Sequence, residues 1–180
     1  MSPATLLRRV ALAAGATAML GLAACATPSN PAAMTLSATP GLTAAQGDVG
    51  YRSVTEVTVS GGRDTNPLWT AQVSNADFQT ALRNSLAAAG YMGTEGRPMS
   101  VSATMIELQQ PMMGLDLSVT SRVRYTVKQG DQVVFDETVA ATGTASMRDA
   151  FAAVERLKLA NEKSIQENIK QFLQRFRSST

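Results

Sequence analysis

The chain has no histidine and a single cysteine, Cys25, in 180 residues. Without imidazole there is no Ser-His-Asp or Cys-His nucleophile pair, no histidine metal ligand and no proton shuttle poised near neutral pH. One cysteine permits neither an internal disulfide nor a multi-cysteine zinc site. Aromatics are scarce, at 5%, and charged residues reach only 17%. A core must therefore be filled by aliphatics and methionine. The formal charge of +2, from 16 basic and 14 acidic residues, is too small to point to nucleic acid.

What is present begins at the N-terminus. Arg8-Arg9 closes a short basic segment, Val10–Leu22 is apolar and uncharged, and Leu22-Ala23-Ala24-Cys25 follows. Basic region, apolar run and small-residue cleavage site read as an export signal. At about 13 residues the apolar run is shorter than the roughly 20 that span a bilayer. Arg8-Arg9 raises the twin-arginine route, which Val10-Ala11-Leu12 matches poorly.

Leu-Ala-Ala-Cys resembles the bacterial lipobox. The resemblance implies cleavage between Ala24 and Cys25, a diacylglycerol on the Cys25 thiol and an acyl chain on its new amine. An ordinary secretory signal that happens to contain a cysteine is the alternative. Buried methylenes contribute roughly 0.8 kcal/mol each, so such an anchor is effectively permanent. Ala26 and Thr27 stand where retention in the inner membrane typically shows aspartate, which implies the outer membrane, facing the periplasm. Losing Arg8 and Arg9 with the leader leaves 14 basic residues against 14 acidic ones, a neutral mature chain.

Residues 1–24 are thus the expected signal peptide. Residues 25–49, with Pro28, Pro31, Pro40, Gly41 and Gly47 among alanine, serine and threonine, read as a flexible tether reaching roughly 25–30 Å. Met34 and Leu36 leave open that part of it packs on the domain. Residues 50–178 form the expected α+β domain. Tyr51–Val59 reads as a strand. Ser74 and Asp77 open a helix that Gly90 closes. Met99–Leu108 is a second strand whose phase slips near Met105, as at a bulge.

Leu115, Leu117, Val119, Ser121, Val123, Tyr125 and Val127 alternate with Asp116, Ser118, Thr120, Arg122, Arg124, Thr126 and Lys128, so one face of a third strand is buried. Gln129-Gly130-Asp131 turns into a fourth strand, Gln132–Ala141, on whose apolar face Glu137 falls. Ser146 and Asp149 resemble a capping pair opening a helix to Arg177. Phe151, Val154, Ile165, Ile169, Phe172 and Phe176 form its stripe, interrupted by Lys158, Asn161 and Glu162. Either the helix bends there or its middle overhangs solvent. The order β-α-β-β-β-α predicts a single-domain, four-stranded mixed sheet with two helices on one face.

Together with the lipobox, this order resembles small Gram-negative envelope lipoproteins: YajG-like proteins, and more distantly LptE and auxiliary lipoproteins of ABC lipid transporters. The closing helix, with Ala160, Ile165, Asn168 and Ile169, is most similar to the YajG type. The resemblance implies an envelope protein and supplies no catalytic residue.

Chemistry in the residues themselves is thin. Phosphate-binding glycine loops and serine-nucleophile motifs are missing, and Asp64-Thr65-Asn66 lacks the further ligands of a calcium loop. Glu137 on an apolar face is the one candidate acid for a carboxylate-based peptidoglycan hydrolase, unless a bulge turns it outward or Arg122 or Arg124 pairs with it. Trp69 and Tyr91 are the aromatics least bound to core faces. Met112 and Met113 at a loop tip suit an adaptable apolar contact, unless they fold over the open end of the core. Arg122, Arg124 and Lys128 offer a basic strip to an acidic partner or to lipid headgroups, unless that face is simply solvated.

The sequence thus predicts a protein that is not an enzyme, with no metal, no cofactor beyond the acyl groups on Cys25, and an envelope protein as partner. Its candidate contacts are Met112, Met113, Arg122, Arg124 and Trp69. The alternative is a lipid- or lipopolysaccharide-handling module with an apolar groove.

Overall fold

The computed structural model describes residues 26–66 and 70–179. The leader, Ala24, Cys25 and Trp69 lie outside the described residues. The elements are α1 (Pro31–Met34), β1 (Val54–Ser60), α2 (Asn75–Ala88), β2 (Met99–Gln109), β3 (Leu117–Gln129), β4 (Gln132–Ala145) and α3 (Ala153–Ser179). The strands lie in the order β1-β2-β3-β4. β1 runs parallel to β2 across the α2 crossover, and the other neighbours are antiparallel. This is the expected α+β architecture, a mixed sheet with helices packed on one face.

Local signals place most of it. Ser74 Oγ accepts the Asp77 amide at 3.1 Å and caps α2. β3 buries Leu117, Val119, Ser121, Val123, Tyr125 and Val127, the alternation read from its residues. The β2–β3 register slips between Met105 and Glu107, where Ile106 bulges out to solvent. Leu115, expected on the buried face, precedes the strand and is exposed.

Three expectations are corrected. First, Ser146 and Asp149 close a turn rather than a helix: Asp149 accepts the Ser146 amide at 2.7 Å, and α3 begins only at Ala153. The Arg156 guanidinium donates to the carbonyls of Ala150 and Phe151, drawing the approaching chain across the helix start. Phe151 therefore leaves the helical stripe and is 87% exposed.

Second, α3 runs unbroken through its polar middle, which does not overhang solvent. Asn161 and Glu162 are buried with partners: Asn161 bonds the Ala71 carbonyl and Gln110, and Glu162 accepts the Asn30 amide at 2.7 Å. Lys158 pairs with Glu155, not with Glu162.

Third, the segment read as a tether packs along the helices, the alternative that Met34 and Leu36 had left open. Met34 is fully buried, and Ala26, Leu42 and Ala44 are nearly so. Ser29 donates to the Gln72 carbonyl, Gln166 to that of Thr35, and the Leu36 amide to Ser85 Oγ. Backbone polar groups that would otherwise lose water are thereby satisfied.

α3 is seated by a polar seam inside the core. Ser164 Oγ bonds Ser121 Oγ at 2.8 Å and the Ala141 carbonyl at 3.1 Å. The Asn168 amide donates to the carbonyls of Ser121 and Val139 and to Ser121 Oγ, and its oxygen accepts the Tyr125 hydroxyl. Beyond the seam Phe172 stacks on Tyr125 with centroids 4.1 Å apart, and Phe135 and Phe176 complete an aromatic cluster. Tyr91, expected off the core, is buried against Phe176. Burial pushes the Tyr125 phenol well above its ordinary range.

Gly143 allows this approach, because a Cβ there would strike the Ser164 amide nitrogen and lie 2.5 Å from the Ala160 carbonyl oxygen, both helix backbone. Gly143→Ala is expected to destabilise the chain by about 1–3 kcal/mol in urea titration, as overpacking does. Gly130→Asn, with open space around the turn, should change little.

Burial raises the Glu162 pKa above its ordinary value, with the Asn30 amide opposing. A carboxyl raised in the folded state binds more protons there than in the unfolded chain, so stability falls as pH rises through the folded value. Glu162→Gln keeps an oxygen for Asn30 and has no charge to bury. Its stability relative to the parent should therefore climb from pH 4 to pH 7 in denaturation curves taken across that range.

Candidate interaction surfaces

The face of the sheet away from the helices is hydroxylated and basic. Alternation on polar strands places Thr58 against Ser102, Ser60 against Thr104, Ser118 against Thr144 and Thr120 against Thr142, each pair within 3.2 Å. Arg122 and Arg124 stand on this face. Arg124 makes a bidentate contact with Asp136 across β3 and β4, at 2.8 and 2.6 Å. That guanidinium holds the Asp136 carboxyl below its usual range. Arg122 approaches Glu107 at 4.0 Å. The strip read as basic is thus largely neutralised by its own neighbours, and Lys128 is exposed nearby.

Glu137 pairs with neither of those arginines. It sits at the open edge of β4, half-exposed, 3.3 Å from Arg175 of α3. That carboxylate is surrounded by water and a guanidinium, not by an apolar cleft that could hold a substrate. Among the described residues no group of three or more acidic or cysteine side chains is placed to hold a metal ion.

Met112 and Met113 do not fold over the core. They are 99% and 86% exposed at the tip of the β2–β3 loop. The loop's base is tied down, since Gln110 donates to the Ala71 carbonyl at 2.8 Å and to Asn161 at 2.9 Å. Leu115, read from the sequence as buried, and Met147, not singled out there, line a shared groove with Asp116, Ser146 and Arg148, and both are exposed. Phe151 lies in that same connection between β4 and α3. The available signal was apolar residues falling between periodic segments, beside Gly114 and in the Ser146–Asp149 turn. At the opposite end, by the β3–β4 hairpin, a shallow hollow is lined by Gln46, Asp48, Ser53, Glu95, Arg97 and Gln129.

No protein family matches the chain by sequence, and no curated protein does. The resemblance to YajG-like lipoproteins rests on the motif and the closing helix alone. Among solved structures the fold is similar to that of protein XCC0632 from Xanthomonas campestris, of the family DUF330, with TM-score 0.61 and 11% identity, over 86% of this chain and 96% of that one. Weaker likenesses are to the PelC dodecamer of Paraburkholderia phytofirmans (TM-score 0.47, 14% identity, 75% and 95% covered) and a minor lipoprotein of Acinetobacter baumannii (0.44, 14%, 71% and 92%). At 11% identity the Xanthomonas likeness is one of fold.

Exposed ion pairs contribute under about 1 kcal/mol. Arg122→Ala and Arg124→Ala should each leave the urea unfolding midpoint close to that of the parent chain. A loss of cellular function in either variant would then report a contact on this face rather than a folding defect.

Proposed function

We propose that the chain is a lipid-anchored, non-catalytic protein of the Gram-negative envelope, carried on the periplasmic side of the outer membrane and serving as an accessory or interaction subunit. One observation carries the reading: Leu22-Ala23-Ala24-Cys25 closes a basic and apolar leader, directly before a folded domain. Cys25 is the residue that would bear the acyl groups. Ala26 and Thr27 after it favour the outer membrane. No described helix is long and apolar enough to cross a membrane.

Two features support a role without chemistry. The one candidate acid, Glu137, is spent on a surface pair with Arg175. The outer sheet face and the apolar loop tips are surfaces rather than clefts. A lipid-handling module needs an acyl-chain groove between helices and sheet. That space is filled by Phe172, Phe176, Tyr125, Ile165 and Leu82, each at most 1% exposed, which weighs against the alternative.

Cys25→Ser should shift the protein from the membrane to the soluble periplasmic fraction and abolish labelling by palmitate. A variant still membrane-bound, or a parent chain that takes up no label, rejects the anchor. Crosslinking in intact cells then identifies the partner.

A further inference from the structure

Eight large hydrophobic side chains are exposed among the described residues, and five of them sit in two adjoining loops: Met112, Met113, Leu115, Met147 and Phe151. The other three, Val49, Ile106 and Val133, lie elsewhere, and scattered single exposures are ordinary. Five gathered in two loops at one end of the sheet are not, since concentrated exposed apolar surface marks contact with a partner or a membrane.

These side chains are held out by the fold. The Ser146–Asp149 turn fixes the chain on both sides of Met147, and Lys163 clamps Asp149 at 2.8 Å. Arg156 grips the carbonyls of Ala150 and Phe151. Gln110 ties the base of the loop carrying both methionines to Asn161. Presenting apolar groups on a pinned frame avoids the entropy of ordering them on contact.

The path of the N-terminal segment says what they meet. Thr35 is bonded to Gln166 and Asn30 to Glu162, so going back along the chain the segment climbs toward the start of α3. Ser29 reaches Gln72, which bonds Gln110 at the root of the methionine loop. Ala26 is 5% exposed, so the chain is still packed on the domain one residue after Cys25. A lipid carried one residue before Ala26 would therefore enter the bilayer close to the domain, on the side where Ser29 is linked through Gln72 to the root of the methionine loop. The far end, about 40 Å away at roughly 3.3 Å per residue along β4, carries the polar hollow.

We propose that the end of the domain formed by residues 110–116 and 146–152 docks directly on the lipid surface, with Met112, Met113 and Phe151 entering the headgroup and upper acyl region. This rests on the lipoprotein reading above. Amphipathic surfaces of this kind sink about 5–10 Å at the interface, and methionine adapts to an irregular one.

The test uses the full-length lipidated chain, its acylation confirmed by mass, in vesicles of phosphatidylethanolamine and phosphatidylglycerol. Met113→Cys, Phe151→Cys and, on the distal hairpin, Asp131→Cys are each labelled with a polarity-sensitive nitrobenzoxadiazole probe. At 113 and 151 emission should shift to the blue and fall at least twofold with lipids doxyl-labelled near the headgroup, while 131 stays aqueous and unquenched. Probes at 113 and 151 as wet as at 131, on a chain shown to be acylated, overturn docking and leave the anchor standing. Probes shielded from water yet untouched by the doxyl lipid assign the patch to a protein and likewise overturn it. A chain that carries no lipid on Cys25 removes the reading from which the proposal starts.

Discussion

The position of α3 on the sheet is the constraint from which the rest of the molecule follows. An all-apolar interface would let a 27-residue helix slide or rotate at little cost. Here Ser164 and Asn168 must find Ser121, Tyr125 and the carbonyls of Ala141 and Val139, all of them buried. A buried polar group left without its partner costs about 1–3 kcal/mol, so one register satisfies the seam and its neighbours do not. Gly143 lets the helix backbone come close enough for those bonds to form.

With α3 seated, two distant parts of the chain are placed by it. Downward, Phe172 and Phe176 reach Tyr125, Phe135 and Tyr91. Upward, Asn161 donates to the Ala71 carbonyl and accepts from Gln110, and Glu162 accepts the Asn30 amide. The N-terminal segment thus becomes part of the core, through Met34 and Leu42, instead of hanging from it. A protein anchored at Cys25 through such a segment has almost no reach. Its orientation is set by the fold.

How much of this the residues disclose depends on range. The alternation of β3, the Ser74 cap and the phase slip at Met105 are local signals, and each lies where it was read. Residues 26–49 offer no apolar period, because their four or five anchoring side chains fit pockets made by α2 and α3 rather than one face of an element. Asn161 and Glu162 look like solvent-facing breaks in a stripe because their partners lie 90 and 132 positions away. The Ser146–Asp149 pair has capping chemistry in both settings. What distinguishes them here is Arg156, whose guanidinium takes the carbonyls of Ala150 and Phe151 just before the helix, a side-chain-to-backbone contact that the capping pair itself does not announce. Of the candidate contacts, Met112 and Met113 are exposed at a loop tip, whereas Arg124 is engaged within the sheet.

These placements bear on which surface remains for a partner. With residues 110–116 and 146–152 on the bilayer, the strands stand roughly upright, and the β3–β4 hairpin points into the periplasm. The helical face is partly covered by the N-terminal segment. What stays open is the sheet's outer face, with its paired hydroxyls and internally neutralised arginines. Such a surface has little net field to attract a strongly charged ligand at a distance. It offers many short donors and acceptors, and it suits a polar, closely fitted protein contact better than a lipid or a nucleic acid. An anchor on Cys25 would fix the height of that face above the membrane, so a partner fixed in the same membrane would meet it in one plane, at an effective concentration free chains in solution do not reach.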